Sequence, residues 1–322
     1  MQYTPKPQFI ERINLLLGNE EDTKKFFETV KTPPKKSIRV NTLKISPKDL
    51  IKKLEEKNWK LYQPFPEHPE IIQLQNELEP GELGKAIEHI LGYFYVQEIT
   101  SMMPIIALQP KVDDTLLDLC ASPGSKTTQA AAVMQNQGAI IANDVSISRI
   151  SILSANLEKT GVTNAIVTRH DGINLCKKLK KLNFNFDKIL VDAPCSGEGN
   201  IRTSPRTYLE WSENLLKNLG GKQKKLAEAA LEILKENGEM IYSTCTHAPE
   251  ENEEVIQHLI NKFNIEILPI SLPLKTRQGI TEWKGKKFSE ELKKAVRIYP
   301  HDNDLEGFFL CKMKKINNER KK

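Results

Sequence analysis

After Pro110 the sequence alternates between short β-branched apolar runs and amphipathic segments, and this alternation restricts the possible folds more than any other feature. Strands are predicted at 115–119, 139–142, 165–168, 187–191 and 238–242, and helices at 126–134, 146–160, 222–235 and 249–263. In the helix at 146–160, Ile147, Ile150, Leu153 and Leu157 share one face, and Gly161 ends it. This pattern predicts an α/β fold with a doubly wound, mostly parallel sheet of Rossmann type.

A smaller module precedes this pattern. Residues 37–45 are β-branched and apolar at close spacing, as in a strand, and Ser46-Pro47 then caps a helix that ends near Asn58. Residues 59–62 return as a strand, and prolines follow at 64, 66 and 69. Small α/β modules of this kind often bind RNA, although these strands lack the aromatic-rich signature of a full RNA-recognition motif.

Three parts of the chain are predicted from these patterns. Residues 1–90 form an amino-terminal RNA-binding module that resembles a fragment of an RNA-recognition motif, 91–316 form the larger domain, and 317–322 form a basic, disordered tail. The larger domain begins with a short extended piece after Gly92 and a largely buried helix. Pro104 should kink that helix or mark a later start.

Basic residues are in modest excess and are clustered. The 322 residues include 47 Lys and Arg against 42 Asp and Glu. The basic clusters lie at 31–36, 177–181, 222–225, 284–287 and 320–322. Such patches suit a polyanion, which releases counterions when it binds, but solvated lysine-rich surfaces without such a partner are equally common. Charge alone therefore leaves nucleic-acid binding open.

The sequence disfavours three classes of protein: membrane proteins, disulfide-linked proteins and metal-binding proteins. No apolar run reaches the length of a membrane span, and the first residues lack the apolar core of a signal peptide. The five cysteines, at 120, 176, 195, 245 and 311, never form a Cys-x-x-Cys pair, which argues against a disulfide scaffold and a zinc site. We therefore expect a cytoplasmic protein with reduced thiols, no metal and no membrane partner, and a monomer by default.

A turn of small residues, Cys120-Ala121-Ser122-Pro123-Gly124-Ser125-Lys126, joins the first strand of the large domain to its helix. A phosphate-binding loop is excluded, because that loop needs Gly-Lys adjacent and another glycine where Leu119 stands. With only one glycine, a dinucleotide fingerprint is absent too. A small-residue turn at a helix N-terminus suits a carboxylate or a compact nucleoside held against backbone amides.

Two acidic residues follow neighbouring strands of the predicted sheet. Asp144 ends the second strand and Asp171 follows the third. An acidic residue after the second strand is placed to accept hydrogen bonds from ribose hydroxyls, although Asp144 would alternatively cap the next helix, in competition with Ser146. Two carboxylates beside a glycine turn, without a phosphate loop, favour S-adenosylmethionine, which has a ribose, an adenine and an amino-acid end but no phosphate.

Cys195 and Cys245 each follow a predicted strand, in the segments Asp192-Ala193-Pro194-Cys195-Ser196-Gly197 and Tyr242-Ser243-Thr244-Cys245-Thr246. The carboxyl edge of an open α/β sheet is where ligands and chemistry gather. Two thiols at one edge therefore suggest covalent catalysis by a soft nucleophile. On the cysteines alone, two buried core residues are the better interpretation.

These segments, the turn at 118–127 and the following Pro249-Glu250-Glu251-Asn252-Glu253 resemble the Nop/Sun (Fmu/RsmB-like) family of RNA cytosine-5 methyltransferases. Weaker similarity extends over nearly the whole chain, through Arg39-Val40-Asn41-Thr42, Tyr95-Val96-Gln97-Glu98, Arg297-Ile298-Tyr299-Pro300-His301 and Gly307-Phe308-Phe309. The resemblance implies a class I methyltransferase fold, S-adenosylmethionine as cofactor, and tRNA or rRNA as substrate.

The resemblance also implies roles for individual residues. Cys245 would be the nucleophile that adds to carbon 6 of cytosine, and Cys195 would assist product release. Asp192 and Lys126 would lie near the target base, with Asp192 also at the cofactor's edge. Residues 120–126 would hold the methionine end, Asp144 and Arg149 the ribose region, and Asp171 the adenine. For His301, a structural role is favoured over an acid or base.

The chemistry explains why such residues are needed. Carbon 5 of cytosine accepts a methyl group at neutral pH only after a nucleophile has added to carbon 6, and a thiolate does this well. The addition places negative charge on the ring, which a carboxyl such as Asp192 and the charge of Lys126 would stabilise. A flipped-out base is required, so RNA with unpaired or weakly paired positions is favoured. The base that removes the carbon 5 proton is not identified.

Two alternatives stay open. In a DNA cytosine methyltransferase the nucleophile would be the Cys of the Pro-Cys pair, here Cys195, and Cys245 would then have no role. A ribosome-assembly or RNA-binding protein would keep the fold without turnover, but the intact set of Cys245, Cys195, Asp192 and Lys126 argues against such decay.

Overall fold

The structure is a computed structural model that describes residues 3–317. Of the predicted basic tail at 317–322, only Asn317 lies within the described residues. Among the helices within residues 3–317, none has both the length and the apolar character that crossing a bilayer requires.

The amino-terminal part is a small antiparallel sheet with helices on it. Its helices are α1 (Pro7–Leu17), α2 (Glu20–Thr29), α3 (Pro47–Glu55), α4 (Glu82–Lys85) and α5 (Ile87–Ile90), and its strands are β1 (Ser37–Val40), β2 (Leu61–Tyr62), β3 (Ile71–Leu74) and β4 (Phe94–Val96). The strand order is β2-β3-β1-β4, so β1 to β4 with α3, α4 and α5 follow the β-α-β-β-α-β connectivity of ferredoxin-like modules. These four strands form a sheet of their own, apart from the main sheet. β4 lies after the predicted division at residue 90, yet it pairs with β1.

Both faces of this small sheet are covered. Ile38 and Val40 of β1 pack in one core with Leu50 and Leu54 of α3. The opposite face of β1 carries Arg39, which donates hydrogen bonds to the Ser125 carbonyl (2.7 Å) and to Thr128 Oγ1 (2.8 Å) in the larger domain. A sheet face that an isolated module of this type would use for stacking bases is therefore buried here.

Within residues 3–317, the main sheet has nine strands, in the order β11-β14-β15-β9-β8-β5-β6-β7 with β10 beside β15. Its strands are β5 (Thr115–Asp118), β6 (Ala139–Asp144), β7 (Ala165–Arg169), β8 (Phe186–Asp192), β9 (Leu234–Thr244), β10 (Ile265–Leu268), β11 (Arg277–Gln278), β14 (Val296–Ile298) and β15 (Phe308–Lys315), while β12 (Glu282–Trp283) and β13 (Lys286–Lys287) form a separate ribbon. Strands β5 to β9 pair in parallel, and β15 adds to β9 antiparallel. The predicted α/β fold is confirmed.

Helices cover both faces of this sheet. They are α6 (Ile99–Leu108), α7 (Ser125–Val133), α8 (Ile147–Thr160), α9 (Gly172–Lys181), α10 (Thr207–Glu210), α11 (Glu213–Glu232), α12 (Glu253–Lys262) and α13 (Pro300–Asn303), with 3₁₀ turns at Glu198–Asn200 and Glu290–Lys294. One core packs α9, α11 and α12 on the sheet, and a second packs α6 and α7 on the other face. Because β5 to β9 run in parallel, the turns after them meet at one edge of the sheet.

Three helices depart from the predicted bounds, one of them α12, which starts at Glu253 rather than at 249. α11 starts at Glu213, nine residues before the predicted start at 222, and Ser212 Oγ caps it by accepting the Leu215 N–H. The sequence hides this start because Gly220-Gly221 interrupts the helical pattern. Gly220 is needed there, since a Cβ on it would lie 2.4 Å from the Glu250 carbonyl oxygen. The helix around Pro104 starts at Ile99 and continues through the proline. Of the two predicted effects of Pro104, a kink or a later start, the later start is therefore wrong.

Candidate active site

A cavity of about 340 Å³ lies at the carboxyl ends of the parallel strands. Its wall includes Asp118 at the end of β5, Asp192 at the end of β8, and Cys245 directly after β9. The turn at 120–126 supplies a second part of the wall. These segments therefore lie together at one edge of the sheet.

The small-residue turn is fixed by backbone contacts. The Ala121 N–H donates to the Asn143 carbonyl (2.8 Å), and Gly124 has φ +102°, which allows the chain to enter α7 directly. A Cβ at Gly124 would lie 3.0 Å from Leu153 Cδ1, so both the backbone angle and the space favour glycine. Burial raises the pKa of the Cys120 thiol well above its ordinary value, so this cysteine is a neutral part of the turn.

Lys126 and Asp192 form a hydrogen-bonded ion pair in the cavity wall. Lys126 Nζ donates to Asp192 Oδ2 (2.7 Å) and to Ser101 Oγ (2.9 Å). Ser243 Oγ donates to Asp192 Oδ1 (2.7 Å). Both carboxylate oxygens of Asp192 therefore have a partner, and the ammonium of Lys126 lies 5.5 Å from the centre of the Phe308 ring.

Cys195 and Cys245 face each other. Their sulfur atoms are 3.2 Å apart, and both thiols are free. Cys245 lines the cavity, whereas Cys195 is not among the residues that line it. The hydrogen bond with Cys245 and burial raise the pKa of Cys195 well above its ordinary value, so Cys195 stays a protonated thiol at neutral pH.

Asp118 lies beneath the turn. It is 1 % exposed, and its Oδ2 accepts a hydrogen bond from Thr127 Oγ1 (2.6 Å). Its Oδ1 has no hydrogen-bond partner among residues 3–317. Burial, reinforced by Asp192, raises the pKa of Asp118 to about 7. This orphaned acceptor points to a ligand group with hydrogen-bond donors on the turn side of the cavity.

The three outer residues of the predicted cofactor site lie beyond the cavity wall, along the same sheet edge. Asp144 Oδ2 pairs with Arg149 Nε (3.2 Å), and Arg149 also donates to the Ser122 carbonyl. Asp144 Oδ1 accepts the Ser146 N–H (3.0 Å), and the Ser146 side chain makes no capping bond. Asp171 is exposed and caps α9 by accepting the Asn174 N–H (3.0 Å). Their cofactor roles stay predictions.

His301 lies in a different cluster. Its Nε2 contacts Asp22 Oδ1 (2.9 Å) and Arg277 Nη2 (2.9 Å), and its ring packs against Phe26 and Tyr299. Burial lowers the pKa of His301. These contacts tie α2 to α13, as a structural histidine would.

Sequence reasoning gave no role to two other carboxyl groups in the cavity wall. Glu98 precedes α6 and Glu306 precedes β15, and both line the cavity. Glu98 lies in, and Glu306 adjoins, a segment of weaker family resemblance, 95–98 and 307–309. That resemblance was the one feature of the sequence that could have indicated them. Nothing in the sequence shows that residues about 200 positions apart share a wall with Cys245.

The residues fit S-adenosylmethionine. A ligand with an amino-acid end and a ribose is suited by the backbone amides at the start of α7, the free Oδ1 of Asp118, Asp144 at the end of β6 and Asp171 two residues after β7. No glycine-rich phosphate cradle competes. Within the described part of the chain, no three His, Cys, Asp or Glu side chains are grouped so that they could hold a metal ion.

Comparison with known proteins assigns the chain to a family. The family model described as 16S rRNA methyltransferase RsmB/F matches residues 105–314, and that of the N-terminal domain of 16S rRNA methyltransferase RsmF matches residues 6–99. A tRNA (cytosine(49)-C(5))-methyltransferase of Pyrococcus abyssi is 39% identical over 308 residues, which cover 96% of each chain.

Two further proteins agree with this assignment. Ribosomal RNA small subunit methyltransferase F of Vibrio parahaemolyticus is 38% identical over 309 residues, and the match covers 95% of this chain but only 62% of that protein. The structure of NSun6 from Pyrococcus horikoshii, solved with the S-adenosylmethionine analogue SFG, matches this chain with a TM-score of 0.81 and 25% sequence identity. The match covers 97% of this chain and 99% of that chain. The chain therefore belongs to the RsmB/F family of RNA cytosine-5 methyltransferases and is an S-adenosylmethionine-dependent RNA methyltransferase.

Proposed function

We propose that the protein methylates carbon 5 of a cytosine in tRNA or rRNA through a covalent bond between Cys245 Sγ and carbon 6 of the base. The observation that carries the proposal is the place of Cys245, which lines one cavity together with Lys126, Asp192 and the cofactor turn. S-adenosylmethionine supplies the methyl group as an electrophile. A thiol in the same cavity supplies the nucleophile that activates the base.

The two cysteines take different roles. Cys245 is the nucleophile because it lines the cavity, whereas Cys195 lies behind it with a raised pKa. The thiolate of Cys245 forms the Sγ–C6 bond as the C5=C6 double bond opens, and carbon 5 then takes the methyl group. When a base removes the carbon 5 proton, the electron pair of that C–H bond re-forms C5=C6 and the Sγ–C6 bond breaks, which releases Cys245 as a thiolate. Cys195 lies 3.2 Å from that sulfur and returns a proton to it as the bond breaks. Its removal therefore slows release of the product rather than its formation.

Asp192 and Lys126 act on the polar edge of the base. The ammonium of Lys126 is held by Asp192 and Ser101 in a wall where its side chain is 8% exposed. A fixed positive charge in such a poorly hydrated site stabilises the negative charge that the ring gains when Cys245 adds. Asp192 acts through Lys126, whose ammonium it orients from the end of β8.

The cofactor is held along the sheet edge. Residues 120–126 contact the methionine end at the amides of α7, Asp144 and Arg149 lie at the ribose, and Asp171 lies at the adenine. Support comes from the order of the strands, because β5, β6 and β7 are neighbours and present these residues successively along one edge.

RNA lies across both parts of the chain. Residues 1–90 act as the RNA-binding module and 91–316 as the catalytic domain, with the basic clusters contacting phosphates. Because one face of the small sheet is buried through Arg39, its remaining loops and helices contact the RNA instead. The Pyrococcus abyssi relative, named for cytosine 49 of tRNA, is matched over 96% of its length, so tRNA is the first substrate class to test.

The test uses unmodified tRNA transcripts and 16S rRNA fragments labelled with tritium at carbon 5 of cytosine. Wild type should release tritium only when S-adenosylmethionine is present. Cys245→Ala should release none, and Cys195→Ala should accumulate an RNA adduct that survives denaturing gels. Cys176→Ala is the matched control, since Cys176 is buried in α9, outside the cavity. Turnover by Cys245→Ala would refute the covalent mechanism.

A further inference from the structure

Glu306 is a buried carboxyl group that the proposed chemistry leaves unused. It is 2% exposed and lies in the cavity wall that Cys245 shares. Its Oε1 accepts the Thr203 N–H (3.0 Å), whereas its Oε2 has no hydrogen-bond partner within residues 3–317. A buried carboxyl oxygen without a partner is unfavourable in the folded state, so a donor or acceptor that arrives with the substrate would satisfy it.

The backbone around Glu306 is fixed to the nucleophile's loop. The Gly307 N–H donates to the Gly199 carbonyl (2.8 Å), and the Gly199 N–H donates to the Cys245 carbonyl (2.9 Å). On the other side, the Glu306 N–H donates to Glu98 Oε1 (3.3 Å). Glu306 is therefore held at a constant position relative to Cys245, as recognition of a base attached to that sulfur requires.

Glu98 has no free oxygen for the substrate. Its Oε2 caps α6 by accepting the N–H groups of Thr100 (2.6 Å) and Ser101 (3.2 Å), and its Oε1 accepts the Glu306 N–H. Asp192 is likewise occupied by Lys126 and Ser243. The other orphaned carboxyl oxygen of the cavity belongs to Asp118, which lies under the turn predicted to hold the cofactor. Glu306 is thus the carboxyl that is free to contact a base.

The protonation of Glu306 suits this contact. Burial, reinforced by the neighbouring Glu98, raises the pKa of Glu306 to about 7, against hydrogen bonds from Thr203 and the charge of Arg202 that lower it. The neutral acid is therefore well populated at neutral pH. A neutral carboxyl group donates one hydrogen bond and accepts another.

We propose that Glu306 contacts the Watson–Crick edge of the target base and selects cytosine over uracil. Cytosine presents an acceptor, N3, beside a donor, the 4-amino group, and a neutral carboxyl group is complementary to that pair. The Thr203 N–H holds Oε1 as an acceptor, so the proton of the neutral acid lies on Oε2. Uracil presents the reverse pattern, N3–H beside O4, which sets the Oε2 proton against a donor and Oε1 against an acceptor. This inference rests on the proposed function, because it places a pyrimidine in the cavity.

The experiment compares two transcripts of a tRNA that the wild type methylates, one with the target cytidine and one with uridine in its place. Products are 5-methylcytidine and 5-methyluridine, measured by mass spectrometry. Glu306→Met keeps roughly the length of the side chain but offers the base neither a hydrogen-bond donor nor an acceptor. Its preference for cytidine should fall at least about 10-fold, since a buried hydrogen bond to a charged or strongly polar group contributes that much to recognition.

A second variant separates recognition from folding. Glu306→Asp keeps the carboxyl but shortens it by one methylene, so methylation of cytidine should fall about 10- to 100-fold with no gain on uridine. Glu213→Gln, at a half-buried carboxyl outside the cavity that is paired with Lys284, is the control and should keep the wild-type preference. Binding of S-adenosylmethionine should be equal in all four proteins.

The outcomes distinguish this inference from the proposed function. If the wild type methylates no cytidine transcript, the proposed function fails. If the wild type is active and Glu306→Met keeps the full preference for cytidine, the role of Glu306 in base recognition is wrong. The same holds if Glu306→Met keeps that preference while a covalent adduct accumulates, which would assign Glu306 to removal of the carbon 5 proton. An unchanged rate on cytidine for Glu306→Asp would overturn it as well.

Discussion

Replacing Gly199 with alanine should misplace the nucleophile without touching it. A Cβ on Gly199 would lie 2.2 Å from the Gly307 carbonyl oxygen and 3.0 Å from the Cys245 carbonyl oxygen. These atoms belong to backbone, so relief requires the segments to separate by roughly 1 Å. The separation strains the hydrogen bonds from Gly199 to Cys245 (2.9 Å) and from Gly307 to Gly199 (2.8 Å).

The magnitude follows from these contacts. Each net hydrogen bond contributes about 1 kcal/mol, and overpacking of a tight site costs about 1–3 kcal/mol. We expect Gly199→Ala to lower the free energy of unfolding by roughly 2–5 kcal/mol. A displacement of about 1 Å at a reacting group lowers the rate by about 100-fold, so kcat should fall by that order in the fraction that stays folded.

The assay is urea denaturation together with single-turnover methylation at saturating S-adenosylmethionine. Gly221→Ala is the matched control, because no atom lies within 4 Å of a Cβ built there and the residue is within α11. It should raise stability by up to about 1 kcal/mol through better helix propensity and leave the rate unchanged. Wild-type stability and rate in Gly199→Ala would show that this backbone junction does not position Cys245.

Two other predictions concern buried charge. Arg39→Lys loses the two hydrogen bonds to Ser125 and Thr128 at the start of α7, so the free energy of unfolding in urea should fall by about 2–3 kcal/mol. Calorimetry should also show weaker binding of S-adenosylmethionine. Equal affinity in both proteins would show that Arg39 of β1 does not support the cofactor site. Burial raises the pKa of Glu251 from 4.5 to about 7, so the folded state binds the extra proton and wild-type stability falls as pH rises from about 4.5 to 7. In Glu251→Gln, the loss in free energy of unfolding between pH 5 and pH 7.5 should be smaller than in the wild type by about 2–3 kcal/mol. An equal loss in both proteins would contradict the raised pKa of Glu251.

The sequence was sufficient to predict those parts of the candidate site that depend only on the sheet topology. Cys195 and Cys245 follow two strands that turn out to be parallel neighbours, β8 and β9, so their proximity needed only the sheet topology. The turn at 120–126 was recognisable because a run of small residues between a strand and a helix lets a ligand approach the backbone amides closely. Gly124 is the glycine of that turn in the sequence, and in the structure it has φ +102° directly before α7.

Contacts that depend on tertiary packing were beyond the sequence. Glu306 and Glu98 meet through one hydrogen bond across the fold, and no local pattern predicts it. Arg39 is locally one polar residue in a strand, yet it joins the two parts of the chain. Strand β1 is also shorter than predicted, since Asn41 turns away to donate to the carbonyls of Gly92 and Thr160 (both 2.8 Å).

The central claim is that Cys245 bonds to carbon 6 of cytosine, and peptide mapping of a trapped complex tests it most directly. A tRNA transcript containing 5-fluorocytidine, which has no carbon 5 proton to lose, is incubated with the wild type and S-adenosylmethionine, and the protein is digested for mass spectrometry. The peptide that carries a methylated fluoropyrimidine nucleotide should contain Cys245. A nucleotide on Cys195, or methylated RNA that never becomes attached to protein, would contradict the account.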